Sequence, residues 1–202
     1  MNTGDTAFMM ICAALVFFMT PGLAFFYGGL VRRKNVCNTI MACVAIMGLS
    51  VVMWTLFGYS LSFGGNHAGI IGDFRWFGLN GVGMEAGPYA DSIPHLVFCA
   101  FQMMFAMITP ALITGSLVGR MKFKALFLFV AIWSVIVYYP MAHMVWGDGG
   151  FLAAIGSVDF AGGDVVHISS GISALVLAII LGRRRGYEHT TYRIHNLSLI
   201  HI

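Results

Sequence analysis

Long apolar runs separated by short polar links are the dominant pattern along this chain. Five runs contain no Asp, Glu, Lys or Arg: residues 7–31, 36–63, 95–119, 125–146 and 165–182. An α-helix rises about 1.5 Å per residue, so each run reaches roughly the 30 Å core of a bilayer. The pattern therefore predicts an all-α, polytopic membrane protein with five transmembrane helices.

The composition supports a lipid environment and excludes several other classes. The chain has 202 residues, of which 59% are hydrophobic and 9% are charged, whereas soluble domains carry about 25% charged residues. The short links leave no room for a separate soluble domain. The four cysteines have no CxxC or Cys/His spacing, so we predict neither a disulfide framework nor a metal site.

The charged residues predict the orientation of the chain. Basic clusters follow the first, third and fifth runs, while the acidic residues lie almost entirely on the opposite side with Arg75. The positive-inside rule then places the N-terminus outside and the C-terminus in the cytoplasm of a multi-pass protein of the cell inner (plasma) membrane. Such clusters set orientation and do not indicate nucleic-acid binding. Their members are Arg32, Arg33, Lys34, Arg120, Lys122, Lys124, Arg183, Arg184 and Arg185.

Three histidines lie within the apolar runs, where a polar side chain tends to face the interior of a helix bundle. His95 begins a run, and we expect it at the membrane interface. His143 lies about one turn from the outer end of the fourth run, a position that favours a structural hydrogen bond. His167 has Gly171 one turn below it, which leaves space on the same helix face. From the residues alone, a pore-lining and a structural role for His167 both stay open.

Four strings in order carry a resemblance to a known family. They are PGLAFFYGGLVR at 21–32, FQMMFAMITPA at 101–111, AHMVWG at 142–147 and DFAGGDVVHI at 159–168. Together they resemble the ammonium transporter, methylammonium permease and Rhesus family, over about residues 5–196. The resemblance implies a transporter and not an enzyme, with no cofactor.

The resemblance also implies roles for five residues. Trp146 and Phe105 correspond to the external recruitment site for the cation, and Phe105 and Phe101 to a pore gate. His167 corresponds to a pore histidine, and Asp159 to an acid with a structural role near the recruitment site. Without the resemblance, we would interpret Trp146 as an ordinary interfacial tryptophan and both phenylalanines as core or lipid-facing side chains.

The function implied by the resemblance is the transport of ammonium. A cation is bound outside, loses its proton, and passes as ammonia through a hydrophobic pore with histidine-assisted proton movement. The implied partners are ammonium or ammonia, the lipid bilayer, two further copies in a homotrimer when full length, and a cytoplasmic regulatory protein.

Full members of the family contain two five-helix halves of inverted topology and a further helix. We therefore interpret residues 1–196 as the N-terminal half. Residues 197–202 form an atypical tail, which we interpret as a truncation or a reading-frame artefact, and we expect the chain to be inactive alone. His189, His195 and His201 are interpreted as cytoplasmic tail residues.

Three other classes remain open at this point. A haem- or quinone-binding membrane subunit would use His143 and His167 as ligands that converge on one cavity. An intramembrane hydrolase would pair Ser169 or Ser170 with a histidine. A purely structural membrane subunit would need none of these residues.

Overall fold

The computed structural model describes residues 1–184, 187–188 and 193–201, so Arg185 and His189 lie outside the described residues. Within them, five helical segments are long and apolar enough to cross a membrane. The prediction of a five-span, all-α protein is confirmed. These spans, numbered first to fifth, are Thr3–Leu30, Arg33–Phe63, His95–Leu117, Phe123–Ala154 and Gly163–Leu181.

Three of the five spans contain a π turn. The first span is α1 (Thr3–Leu30), and the third is α4 (His95–Leu117). The second consists of a 3₁₀ turn (Arg33–Asn35), α2 (Val36–Met53), a π turn (Trp54–Gly58) and α3 (Tyr59–Phe63). The fourth consists of α5 (Phe123–Trp133), a π turn (Ser134–Tyr138), α6 (Tyr139–Trp146) and, after a short break, α7 (Phe151–Ala154). The fifth consists of a π turn (Gly163–Ile168) and α8 (Ser169–Leu181); α9 (Leu197–His201) follows it.

The long outer link contains a small element that the apolar pattern does not predict. After a 3₁₀ turn (Phe77–Leu79), β1 (Ala86–Gly87) pairs antiparallel with β2 (Ala90–Pro94). The backbone N–H of Asn2 donates to the carbonyl of Ser92 at 2.7 Å. This hairpin therefore ties the outer link to the start of α1.

The helix α4 lies at the centre of the bundle, against α1, α2 and α8. Its residues Ala111 and Ile113 are fully buried, whereas large apolar side chains on outer helices such as Phe8 (68% exposed) and Ile180 (72% exposed) lie on the outside. Lipid accepts such side chains, so association of the helices depends on close packing.

The contact between α1 and α4 shows how small residues permit this packing. A Cβ added at Gly115 would lie 2.6 Å from Cζ of Tyr27, so only glycine admits the tyrosine ring. The Tyr27 hydroxyl donates to the carbonyl of Leu112 at 2.9 Å.

Candidate functional site

A groove between α1, α4 and the start of the fifth span contains two of the predicted site residues. It holds a cavity of about 320 Å³, lined by Phe105 from α4 and by His167 from the π turn. His167 is the only titratable lining residue among those that the structure describes. The other lining residues are apolar or glycine: Met19, Gly22, Leu23, Phe26, Ile108, Leu112, Ala161 and Val166.

Phe105 lies between two other aromatic side chains. Its ring centroid is 5.1 Å from that of Phe101, with an interplanar angle of 84°. The centroid of the Trp146 ring lies 6.0 Å from Phe105, at 60°. Phe101 and Phe105 are one helical turn apart on α4, so the helix sets their spacing, while the end of α6 supplies the indole. The three partly exposed rings form an aromatic row, and its middle ring, Phe105, lines the groove.

The indole of Trp146 is held in place by the loop that follows it. Its Nε1–H donates to the main-chain carbonyl of Asp159 at 2.9 Å. The ring is half-buried, and the hydrogen bond uses its only donor. The indole therefore has a defined orientation beside Phe105.

The carboxylate of Asp159 organises the start of the fifth span. It accepts from the backbone N–H groups of Gly162 (2.6 Å), Gly163 (2.8 Å), Asp164 (2.8 Å) and Val165 (3.1 Å). These are the first N–H groups of the helical segment, which have no partners within the helix. Burial alone would raise the pKa of Asp159, but these four donors outweigh it and hold the pKa below its usual value.

His167 presents its side chain to the open side of the groove. Its imidazole is exposed, and it has no hydrogen-bond partner among the described residues. A Cβ added at Gly171 would meet nothing within 4 Å, as the spacing of these two residues predicts. The imidazole therefore has room for another molecule or another protein segment beside it.

The loop between the fourth and fifth spans reaches into the same groove. Ala161 of this loop lines the cavity together with His167. The end of the fourth span, just before this loop, is tied to the outer link after the second span, since Asn66 Nδ2 donates to the carbonyl of Gly149 (2.8 Å) and the N–H of Phe151 donates to the carbonyl of Gly69 (2.8 Å).

Comparisons with known proteins show the family to which the chain belongs. The sequence profile of the Ammonium Transporter Family matches residues 7–202. The chain belongs to the ammonium transporter family. An ammonium transporter of Bacillus subtilis is 51% identical over 197 residues, which are 98% of this chain and 48% of that protein. Ammonium transporter 1 of Dictyostelium discoideum is 44% identical over 188 residues, 93% of this chain and 41% of that protein.

The structural comparison gives the same result. The crystal structure of Mep2 from Candida albicans superimposes with a TM-score of 0.87 at 31% sequence identity, over 99% of this chain and 45% of Mep2. The chain thus spans about half the length of the relatives that it matches. Its fold and family are those of membrane transporters, which are not enzymes.

The haem- or quinone-binding alternative is not favoured by the positions of the two histidines. His143 is fully buried, and its Nδ1 lies 3.1 Å from the carbonyl oxygen of Ser62 while Nε2 lies 3.5 Å from Oδ1 of Asn66. It does not line the cavity of His167. A structural hydrogen bond, as expected for His143, accounts for its position. Within the described residues, no group of three or more His, Cys, Asp or Glu side chains is placed to hold a metal ion.

The serines of the fifth span are not arranged as nucleophiles. The hydroxyl of Ser169 donates to the carbonyl of Val165 at 2.5 Å, and that of Ser170 donates to the carbonyl of Val166 at 2.6 Å. Both side chains are buried. These hydrogen bonds to the preceding turn are a common packing feature of membrane helices, so the hydrolase alternative has no support.

Two features of the site region are not predicted by the sequence analysis. Ile108 and Leu112 line the groove with Phe105, and their spacing of three and seven residues along one helix face could have revealed this. His95, the first residue of α4, is only 6% exposed, and the sequence analysis does not predict this burial. It lies beneath the outer link, where its Nε2 is 2.5 Å from the Tyr59 hydroxyl and its ring centroid is 4.8 Å from Trp76.

Further cavities continue from the groove toward the basic links. A cavity of about 360 Å³ shares Leu112 with the first one. A third, of about 620 Å³, shares Leu30, Val31, Val118 and Arg184 with the second. The three adjacent cavities follow α1, α4 and α8 from His167 to the ends of these helices.

Proposed function

We propose that this chain forms one half of a membrane pore that binds ammonium outside the cell and delivers ammonia to the cytoplasm. The observation that carries the proposal is the row from Trp146 through Phe105 to the groove that His167 lines. The proposal includes the orientation predicted from the basic links, with the N-terminus outside the plasma membrane and the C-terminus in the cytoplasm.

Trp146 and Phe105 form the recruitment site in this proposal. Ammonium is a cation at neutral pH, and a cation is attracted to the face of an aromatic ring. The hydrogen bond from the indole to Asp159 leaves the ring face free for this contact. Asp159 has a structural role here, because four backbone N–H groups already occupy its carboxylate.

The apolar groove favours passage of the neutral molecule. A desolvated cation–π contact contributes about 2 kcal/mol, whereas moving a bare ion into a low-dielectric interior costs on the order of tens of kcal/mol. The ammonium ion therefore loses its proton before the groove. Phe105 and Phe101 act as the gate that ammonia passes, since Phe105 contacts Trp146, lines the cavity and packs edge-to-face against Phe101.

His167 is the pore histidine of the proposal. An imidazole can donate one hydrogen bond and accept another, and it can take up and release a proton near neutral pH. The position of His167 in an apolar cavity lets it contact ammonia and assist the movement of the proton.

The proposal assigns the other side of the pore to a second half. The groove is open beside the exposed His167, so the chain alone does not enclose a pore and is expected not to transport. We extend the proposal to a homotrimer for the full-length protein and to a regulatory protein on the cytoplasmic side.

The test requires both halves in one membrane. We would co-express this chain with the remaining half of the Bacillus subtilis relative, reconstitute the complex in liposomes, and record currents evoked by ammonium. We expect a current with both halves and none with this chain alone. His167→Asn should abolish the current, because asparagine has a similar polar reach but cannot exchange protons.

His67→Asn is the matched control, since it makes the same change at an exposed histidine of the outer link. It should leave the current unchanged. An undiminished current with His167→Asn would contradict the assignment of this residue, and the absence of current from correctly assembled halves would contradict the proposed function.

A further inference from the structure

Trp146 is the last residue of α6, so its position depends on how the end of this short helix is held. The helix contains only eight residues and stops at Gly147, whose backbone is extended. The last carbonyl groups of a helix have no partner within it, and helix ends fray. The position of the indole is therefore set by what holds this turn from outside.

His143, one turn before Trp146, attaches the end of α6 to the second span. Its side chain is fully buried, and its Nδ1 lies 3.1 Å from the carbonyl oxygen of Ser62, near the end of α3. A carbonyl oxygen only accepts hydrogen bonds, so Nδ1 carries the hydrogen and donates it. This bond joins the last turn of α6 to the last turn of α3.

The bond from His143 completes a set of capped carbonyl groups at the end of the second span. The last four carbonyl groups of a helix need partners from outside. Those of Ser60, Leu61, Ser62 and Phe63 accept from the N–H of Gly64 (2.7 Å), the N–H of Gly72 (2.7 Å), His143 and the Tyr89 hydroxyl (2.8 Å), respectively. Three of these donors belong to the outer link, whereas His143 comes from another membrane span.

The imidazole of His143 also contacts the turn that follows Trp146. A Cβ added at Gly147 would lie 2.6 Å from Nδ1, so only glycine lets the ring lie against this turn. On the other side of the ring, Nε2 lies 3.5 Å from Oδ1 of Asn66, whose Nδ2 donates to the carbonyl of Gly149 at 2.8 Å. The imidazole thus lies between the end of α3 and the residues just after Trp146.

These contacts hold the backbone of Trp146, whereas Asp159 holds its ring. The indole N–H donates to the carbonyl of Asp159 at 2.9 Å, and the ring centroid lies 6.0 Å from that of Phe105 on α4. The attraction between a cation and an aromatic face acts within about 6 Å of the ring centroid. A displaced end of α6 would therefore change how well the two rings contact one cation.

We propose that His143 is a positioning residue for the recruitment of ammonium. Its hydrogen bond to Ser62 holds the last turn of α6 and thereby sets the position of the Trp146 indole relative to Phe105. This role rests on the recruitment site of the proposed function. Loss of the bond lowers the affinity for the cation and leaves the later passage through the groove unchanged.

Two polar substitutions separate positioning from a merely structural role. His143→Asn places its amide near the position of Nδ1 and can still donate to Ser62, whereas His143→Gln places its amide near the position of Nε2. In the assembled halves, we would measure the ammonium concentration for half-maximal current and the maximal current. We expect His143→Gln to raise this concentration about 3- to 10-fold and His143→Asn to keep it within about twofold. The maximal current should stay unchanged in both variants.

A second measurement follows the indole in this chain without its other half. The chain contains four tryptophans, which would be labelled as fluorotryptophan and observed by fluorine NMR in detergent. Trp146→Phe identifies the resonance of Trp146. We expect His143→Gln to shift or broaden this resonance, and His143→Asn to leave it at the wild-type position.

Ser60→Ala is the matched control. It removes a hydrogen bond between α3 and the outer link, which the N–H of Trp76 donates to the Ser60 hydroxyl at 2.9 Å, and it retains the bond between α3 and α6. It should leave the half-maximal concentration and the Trp146 resonance unchanged. Thermal unfolding checks that each variant is folded, and His143→Leu, which also lacks the donor, replaces His143→Gln if that variant does not fold.

Equal effects of His143→Asn and His143→Gln would overturn the proposal, because the position of the donor would then not matter. A Trp146 resonance that changes as much in Ser60→Ala as in His143→Gln would overturn it as well. The absence of current from the assembled wild-type halves would contradict the proposed function instead, and the fluorine resonance would still decide whether His143 positions the indole.

Discussion

The indole N–H of Trp146 donates to the main-chain carbonyl of Asp159, 2.9 Å away, while the carboxylate of the same Asp159 accepts four N–H groups at the start of the fifth span. One residue thus connects the proposed recruitment site to the helix that carries His167. The orientation of the indole and the position of the fifth span therefore depend on the same short loop.

Replacing Trp146 tests recruitment separately from folding. Trp146→Leu removes the aromatic face, and the cation–π contribution of about 1 to 2 kcal/mol predicts roughly 5- to 30-fold weaker binding of methylammonium. Trp146→Phe keeps a smaller aromatic face and should show an intermediate loss. Calorimetric titration of the assembled halves measures binding, and thermal unfolding measures stability. Equal affinity of wild type and Trp146→Leu would contradict recruitment at this residue.

The low pKa of Asp159 predicts acid sensitivity of the loop around Trp146. The pKa of Asp159 is lower in the folded protein than in the unfolded chain, where it is about 3.9. The ionised carboxylate therefore stabilises the fold above that pH, and this stabilisation is lost as the pH falls through the lower, folded pKa. We therefore expect a change in tryptophan fluorescence only below about pH 4.

Asp159→Asn should weaken the loop at neutral pH and remove this acid transition. Asparagine keeps one acceptor oxygen, but its NH₂ group faces backbone N–H donors that it cannot bond. We therefore expect the free energy of unfolding to fall by about 1 to 3 kcal/mol. Asp73→Asn is a suitable comparison, because Asp73 also has a lowered pKa but lies on the other outer link, beside Arg75. An acid transition that persists in Asp159→Asn and disappears in Asp73→Asn would contradict the assignment.

The close approach of α1 and α4 predicts a strong effect at one glycine. The methyl group of Gly115→Ala would clash with the ring of Tyr27 and push the Tyr27 hydroxyl away from the carbonyl of Leu112. We therefore expect the variant to be destabilised by about 1 to 3 kcal/mol. Gly48→Ala in α2 is the control, since a Cβ there meets nothing within 4 Å. Thermal unfolding in detergent should rank Gly115→Ala far below Gly48→Ala, and equal stabilities would show that the contact does not matter.

The buried pair of Tyr59 and His95 predicts the cost of an unsatisfied polar group. In the wild-type protein the Tyr59 hydroxyl lies 2.5 Å from Nε2 of His95, in a site that is closed to water. Tyr59→Phe leaves this nitrogen without a partner, so we expect the free energy of unfolding to fall by about 1 to 3 kcal/mol. Tyr89→Phe also loses hydrogen bonds, to Phe63 and Asp148, but Tyr89 is half-buried and water can replace them. A larger loss at Tyr89 in thermal unfolding would contradict this interpretation.

Much of the site is predictable from local spacing and from short motifs. The separation of Phe101 and Phe105 by one turn places their rings in contact, and the spacing of His167 and Gly171 leaves space beside the imidazole. His95 is not predictable in this way, because the residues that bury it come from Tyr59 and from the distant Trp76 of the outer link.

The sequence by itself determined the number of spans, the position of each link and the resemblance to the ammonium transporter family, because span length, apolar content and motifs are local properties of the chain. Only the tertiary structure decided which residues meet across spans: His143 with Ser62 rather than with His167, Trp146 with Asp159, and the lysines and arginines of separate links around one cavity. Lipid gives apolar helices little preference for one neighbour over another, so these pairings depend on side-chain shape and buried hydrogen bonds between distant segments, which no local pattern encodes.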